Sequence, residues 1–147
     1  LQPYLQACID ETLRLYGPLS SGFPRVSPGR HISGEYVPEG TIVSTSAYIT
    51  ARDPTVFADP LEYIPERWLD ATPEMRNSWR PFSYGPRNCI GKHLAEIGLN
   101  LTLARLYQLY DIKIDPSMTD DMMRPCDRGV TFPWGKKLLV IPAPVKR

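Results

Sequence analysis

The segment of this sequence best equipped for chemistry is Pro81-Phe82-Ser83-Tyr84-Gly85-Pro86-Arg87-Asn88-Cys89-Ile90-Gly91, which sets a thiol, a guanidinium and paired glycines just ahead of a long apolar stretch. If that stretch is a helix, Cys89 stands at its N-terminus. Free backbone N–H groups and the macrodipole there favour a thiolate, and nearby Arg87 adds positive charge. A sulfur so placed can be a nucleophile or a metal ligand. It can equally be a small buried hydrophobe, the usual fate of a lone cysteine. Gly85 and Gly91 remove side-chain bulk around it, as a loop requires when its backbone turns tightly or approaches a flat ligand. The other cysteines, Cys8 and Cys126, are remote, no C-x-x-C occurs, and His31 and His93 have no ligand-spaced companions, so no zinc framework of familiar spacing is present. Cys8 falls on an apolar stripe and reads as core, while Cys126 has no identifiable partner.

Two stretches have the periodicity of helices that would hold such a loop. From Tyr4 to Tyr16, apolar Leu5, Cys8, Ile9, Leu13 and Tyr16 form one stripe, stopped by Gly17-Pro18. From about Ile90 to Tyr110, one stripe of Ile90, Leu94, Ile97, Leu101 and Ala104 lies beside another of Leu99, Leu103 and Leu106, a pattern that predicts a mostly buried helix. Gly98 within it costs on the order of 1 kcal/mol relative to alanine, which implies either close packing or simple tolerance. Segments 31–37 and 41–48 flank Pro38-Glu39-Gly40 and predict a hairpin. Residues 55–88 read as a meander packed by its aromatics, with at most single helical turns. Segments 130–132 and 138–141 around Pro133-Trp134-Gly135 predict a second hairpin.

Composition narrows the function classes. The 147 residues include 17 basic and 16 acidic side chains, a formal charge of +1, which excludes the polyelectrolyte signature of nucleic-acid binding. There are 16 prolines, about twice the usual share, and they confine long helices to small parts of the chain. No apolar run is long enough to span a bilayer. The start, Leu1-Gln2-Pro3-Tyr4-Leu5-Gln6, has neither an initiating methionine nor a signal core, so the sequence reads as a segment of something longer. Scattered unpaired cysteines suit a reducing compartment.

Phe82, Gly85, Arg87, Cys89 and Gly91 fill every fixed position of F-x-x-G-x-R-x-C-x-G, and the chain thereby resembles the cytochrome P450 family. Glu11-Thr12-Leu13-Arg14 is similar to the family's E-x-x-R, and Pro65-Glu66-Arg67-Trp68 to its P-E-R-F/W, in the family's order. The resemblance implies a mainly α fold with small β sheets. Residues 1–147 would be the C-terminal segment of one longer domain, comprising K helix, β hairpin, meander, cysteine loop, L helix and terminal hairpin. It implies haem b, with Cys89 as axial thiolate ligand of the iron, where electron donation favours O–O cleavage. Phe82 would shield the sulfur, Gly85 and Gly91 would let the loop lie against the macrocycle, and Arg87 and Arg25 would hold the propionates. The alternative for Arg25 is an exposed surface charge. Glu11, Arg14 and Arg67 would form a structural Glu-Arg-Arg network.

Further implications concern partners. The parent protein would be a monooxygenase that uses O2 and electrons from NADPH-cytochrome P450 reductase or a similar donor to oxidise a lipophilic small molecule. It would lie on the cytoplasmic face of the endoplasmic reticulum. Haem-thiolate isomerase or peroxygenase chemistry, or a truncated non-catalytic product, are the alternatives. Leu19-Ser20-Ser21-Gly22 and Thr131-Phe132-Pro133 would line the substrate pocket, and Lys92, Arg76 and Arg80 are either a reductase-docking face or ordinary solvated charges. Gly98, Asn100 and Ala51 stand where the family often has Glu, a basic residue and His.

Overall fold

The computed structural model describes residues 2–145. Pro3 opens α1 (Pro3–Tyr16), its fixed φ suiting the first helical turn and its missing N–H falling where a helix offers no acceptor. Gly17 ends it. A Cβ at Gly17 would lie 2.6 Å from the Leu13 carbonyl oxygen, so only glycine fits this exit. The buried face is not the apolar stripe that periodicity predicts. Asp10, Glu11 and Arg14 are buried alongside Ala7, Ile9 and Leu15, whereas Tyr16 is exposed and Leu5, Cys8 and Leu13 are half-buried. Counting apolar residues misses a helix whose core face is ionic.

The strands form small antiparallel pairs: β1 (Arg25–Val26) with β4 (Ile42–Val43), β2 (Arg30–Ile32) with β3 (Glu35–Val37), β5 (Tyr110–Ile114) with β8 (Val140–Pro144), and β6 (Pro125–Asp127) with β7 (Thr131–Pro133). These pairings correct both predicted hairpins. Ser33 and Gly34, with φ of 52° and 91°, make the two-residue turn that joins β2 to β3, and strand pairing follows that turn. Pro38–Thr41 is a turn, but it delivers β4 to β1. In the C-terminal part, Gly129 at φ 89°, whose N–H donates to Asp127 Oδ1, folds β7 back on β6, which frees 140–144 to pair with β5.

The proline-rich middle carries only short elements. They are α2 (Ala47–Thr50), a 3-10 helix at Pro65–Trp68, α3 (Pro73–Ser78) and a second 3-10 turn at Gly85–Arg87. Ser46 and Thr72 hydroxyls cap α2 and α3 by accepting the N–H of Ile49 and Met75. The core is small: Ala7, Phe57, Trp68 and Met75, flanked by Val56, Ala71 and Trp79. α4 (Lys92–Leu109) leads into β5, and α5 (Asp120–Met123) precedes β6. The expectation of a mostly buried helix at α4 is not met. Leu94, Ile97 and Leu101 are exposed and Asn100 is its only buried residue, because α4 meets the rest of the described chain mainly along α1 and β5. Gly98 has nothing within 4 Å of where a Cβ would stand, so its place rests on tolerance. Among the described residues no helix is long and apolar enough to cross a membrane.

Ser27 fastens the two N-terminal strand pairs together. Its buried Oγ donates to the Val37 carbonyl (3.0 Å) and accepts the Gly29 N–H (3.2 Å), while its backbone N–H donates to Thr41 (2.8 Å). Ser27→Ala is expected to lower unfolding stability by about 1–3 kcal/mol, since a buried acceptor and donor lose their partner. A denaturant midpoint that stays put would show that the backbone bonds suffice.

Candidate functional site

Glu11 has no exposed surface, and its carboxylate accepts five hydrogen bonds. Oε1 takes the Ile64 N–H (2.9 Å), Arg67 Nε (3.1 Å) and Arg14 Nη2 (2.9 Å), and Oε2 takes Arg14 Nε (2.8 Å) and Trp68 Nε1 (2.8 Å). Burial by itself pushes the carboxyl up. The bonds from Arg14, Ile64 and Trp68, with the Arg14 charge, outweigh that and hold it below its ordinary value. Arg14 spends its remaining N–H groups on the carbonyls of Ala51 and Pro60 (2.7 Å each) and Glu62 (3.0 Å) and stacks over Phe57 at 5.1 Å. Arg67 likewise holds the Ala58 and Asp59 carbonyls. The structure thus brings Glu11, Arg14 and Arg67 together. It adds Trp68, the last residue of the Pro65-Glu66-Arg67-Trp68 motif, whose indole N–H joins the network although the motif alone assigns it no partner.

The cysteine loop is shaped by backbone bonds. The Cys89 N–H donates to the Phe82 carbonyl (2.9 Å), Asn88 N–H to Gly85 (3.0 Å) and Lys92 N–H to Cys89 (3.3 Å). Gly85 takes φ 72°, a conformation that side chains disfavour, and a Cβ on Gly91 would sit 3.8 Å from Cys89 Sγ. α4 begins at Lys92 and no side chain caps it. Cys89 is an exposed free thiol rather than a buried hydrophobe, Phe82 is half-buried, and Arg87 is exposed. Arg25 is exposed on β1, lies over Phe23 at 6.0 Å and donates to the Pro24 carbonyl. His31 is exposed in β2 with its ring against Tyr36, His93 pairs with Glu96 at 3.5 Å, and Cys8 and Cys126 are half-buried.

One cleft runs along the loop and another lies at its entry, Pro81. The first, of about 550 Å³, has the cations Arg76, Arg80 and Lys92 beside Trp79, Phe82 and Tyr84, with no carboxylate in its lining. The other, of about 670 Å³, is lined by Leu13, Leu19, Tyr48 and Ile49 together with Ser20 and Thr131. Ser20 and Thr131 hydroxyls meet at 2.8 Å, which joins the segments after α1 and in β7 that sequence reading set apart. Among the described residues no three His, Cys, Asp or Glu side chains cluster to hold a metal. A metal at Cys89 would therefore have to bring its other ligands with it, as haem does. An exposed cysteine with Gly91 close to its sulfur, followed by exposed Ile90 and Leu94, fits such a flat group.

Helix, meander and cysteine loop in this order define the C-terminal part of a haem-thiolate fold. The family model described as Cytochrome P450 matches residues 2–139, and the chain belongs to the cytochrome P450 family, whose cofactor is haem. It is 48% identical over 113 residues to the cytochrome P450 monooxygenase ORF9 of Penicillium roqueforti, a match covering 76% of this chain and 22% of that protein. Over 144 residues it is 38% identical to the monooxygenase atr2 of Stereocaulon alpinum, covering 95% and 28%. Among solved structures, a retinoic-acid-bound cyanobacterial P450 superposes with a TM-score of 0.80 at 28% identity, covering 97% of this chain and 33% of that one. A zebrafish P450 with abiraterone gives 0.81 at 28%, covering 99% and 33%. The chain therefore spans between a fifth and a third of the length of these relatives.

Removing the Glu11 charge leaves the buried Arg14 guanidinium and the half-buried Arg67 one uncompensated, so Glu11→Gln is expected to cost about 3–5 kcal/mol in denaturant unfolding. A folded carboxyl held below the ordinary 4.5 contributes stability that is complete above about pH 4.5 and lost as pH falls through its folded value. Asp10, raised by burial first and by Glu96, acts in the opposite sense. Wild type minus Glu11→Gln should accordingly shrink on acidification below pH 4.5. A difference that stays constant with pH would mean that the charge is not what the network uses.

Proposed function

We propose that this chain is the haem-ligating part of a cytochrome P450 monooxygenase that oxidises a lipophilic small molecule, with Cys89 as the axial ligand. The exposed Cys89 thiol on its glycine-bearing loop is the observation that carries the reading. Haem bound there supplies activation of O2 for insertion of one oxygen atom into substrate. The chain's own residues present and protect it. The bond from the Cys89 N–H to the Phe82 carbonyl holds the backbone that carries the thiol, and half-buried Phe82 would shield it. Arg87 and Arg25 have exposed guanidiniums suited to the propionates. The cleft of Leu13, Leu19, Tyr48 and Ile49 supports an apolar substrate, with Ser20, Thr131, Arg52 and Asp127 among its polar groups.

Arg76, Arg80 and Lys92, the last paired with Glu96 at 3.8 Å, support docking of an acidic electron donor such as a reductase, because surface cations steer association with an acidic partner. The exposed apolar face of α4 supports a further reading, that the chain alone retains haem weakly and does not turn over.

The protein carrying this chain, expressed at full length with haem and reduced under carbon monoxide, is expected to show the red-shifted absorption of thiolate ligation. Cys89→Ala should abolish that band. Arg87→Ala should leave the band position in place and speed haem loss to an acceptor protein, since a propionate contact is removed without touching the ligand. A band that survives in Cys89→Ala would sink the assignment.

A further inference from the structure

Asn100 is the one buried residue of α4, at 4% exposure, and it is polar. Its Nδ2 donates to Gln6 Oε1 on α1 (3.0 Å) and to the Glu96 carbonyl one turn back (2.9 Å), and Gln6 Nε2 in turn donates to Asp10 Oδ1 (2.7 Å). The chain has a forced direction. A carboxylate only accepts, so Gln6 must turn its NH2 to Asp10 and its carbonyl to Asn100, and Asn100 must offer its own NH2. That leaves Asn100 Oδ1 buried with no donor among the described residues. An orphaned acceptor destabilises, and an apolar side chain of similar volume would be relieved of that cost. Stability alone therefore does not account for an asparagine here.

Geometry does. Apolar contact between helices tolerates sliding, whereas a single buried hydrogen bond selects one register. The other end of the cysteine loop is fixed to the same turn of α1, because Trp79 Nε1 donates to the Asp10 carbonyl (3.1 Å) just before Arg80-Pro81-Phe82 enters the loop. Entry and exit of the loop thus share the Gln6–Asp10 turn, which directly precedes Glu11.

We propose that Asn100 is a positioning residue whose bond to Gln6 sets the register of α4 on α1, and with it the place of Cys89. The spectroscopic part of its test rests on Cys89 being the haem ligand; the exchange part does not.

The experiment compares Asn100→Leu, Gln6→Leu and the double variant in the full-length protein, haem-loaded and haem-free. Asn100→Leu is expected to keep or raise the melting temperature. In the haem-free protein the α4 amides should nevertheless exchange faster by a factor of about five, the equivalent of one net hydrogen bond of about 1 kcal/mol. In the loaded protein the thiolate band under carbon monoxide should weaken in favour of the thiol-ligated form. Gln6→Leu should reproduce the exchange and band changes, and the double variant should add nothing to them. Unchanged exchange and band in Asn100→Leu, or a fall in melting temperature that accompanies every change, would overturn the proposal. A wild type without the thiolate band would refute the ligand reading and leave exchange to decide the register.

Discussion

Five donors converging on the Glu11 carboxylate are the constraint on which the rest of this structure depends. Burying a carboxylate is strongly unfavourable, and the opposing effect is the near-complete saturation of its lone pairs by Arg14, Arg67, Trp68 and the Ile64 amide. The balance between them need not be large for the geometry to be exacting. A carboxylate satisfied from four residues in two distant segments tolerates neither a rotated α1 nor a displaced 62–68 segment.

Proline explains why the two arginines are needed. In residues 51–65 the backbone runs through Pro54, Pro60 and Pro65 without forming a sheet, so its carbonyls have no ladder to pair with. Arg14 gathers the carbonyls of Ala51, Pro60 and Glu62, and Arg67 those of Ala58 and Asp59. Backbone bonds close only the meander's local turns, such as Phe57 N–H to Asp53 and Glu62 N–H to Asp59, and these side chains tie the turns together. Glu11 neutralises the charge this brings into the interior, and Phe57 provides a ring face for Arg14. The role of Ala51 is met through its carbonyl, which any residue at that position would offer.

Local chemistry was legible in the sequence where it depends on residue type alone. Gly17-Pro18 ends α1 and Gly85 supports a left-handed turn, and both follow from the residues themselves. Pairing was less legible, because Ser33-Gly34 looks like strand interior until both residues take positive φ, and Gly129 decides the partner of β7 by the same means. Burial was misjudged in both helices for one reason: a hydrophobic stripe reports what could be covered, not what covers it. The α1 face was covered by polar partners 50 and more residues away, as the separation of Glu11 from Ile64, Arg67 and Trp68 shows. The α4 stripes lie bare among the described residues. The roles of Trp68, Trp79, Gln6 and Asn100 were not legible because they lie in a few directed hydrogen bonds, which leave no mark in periodicity.

Directional bonds dominate here because the apolar core is too small to fix the loop by packing. Ala7, Phe57, Trp68 and Met75 enclose little volume, and non-directional contact among them would leave α1, the meander and α4 several arrangements of similar energy. The loop itself cannot resolve that choice, since Cys89 and Arg87 are exposed and its internal bonds are few. Its place must be imposed from its ends. Tilted contact of the Trp68 and Trp79 rings at 5.4 Å carries the position of the meander to the loop entry, and Gln6 and Asp10 carry that of α1 to both entry and exit. A thiol held from its flanks, with its face left open, suits a flat prosthetic group.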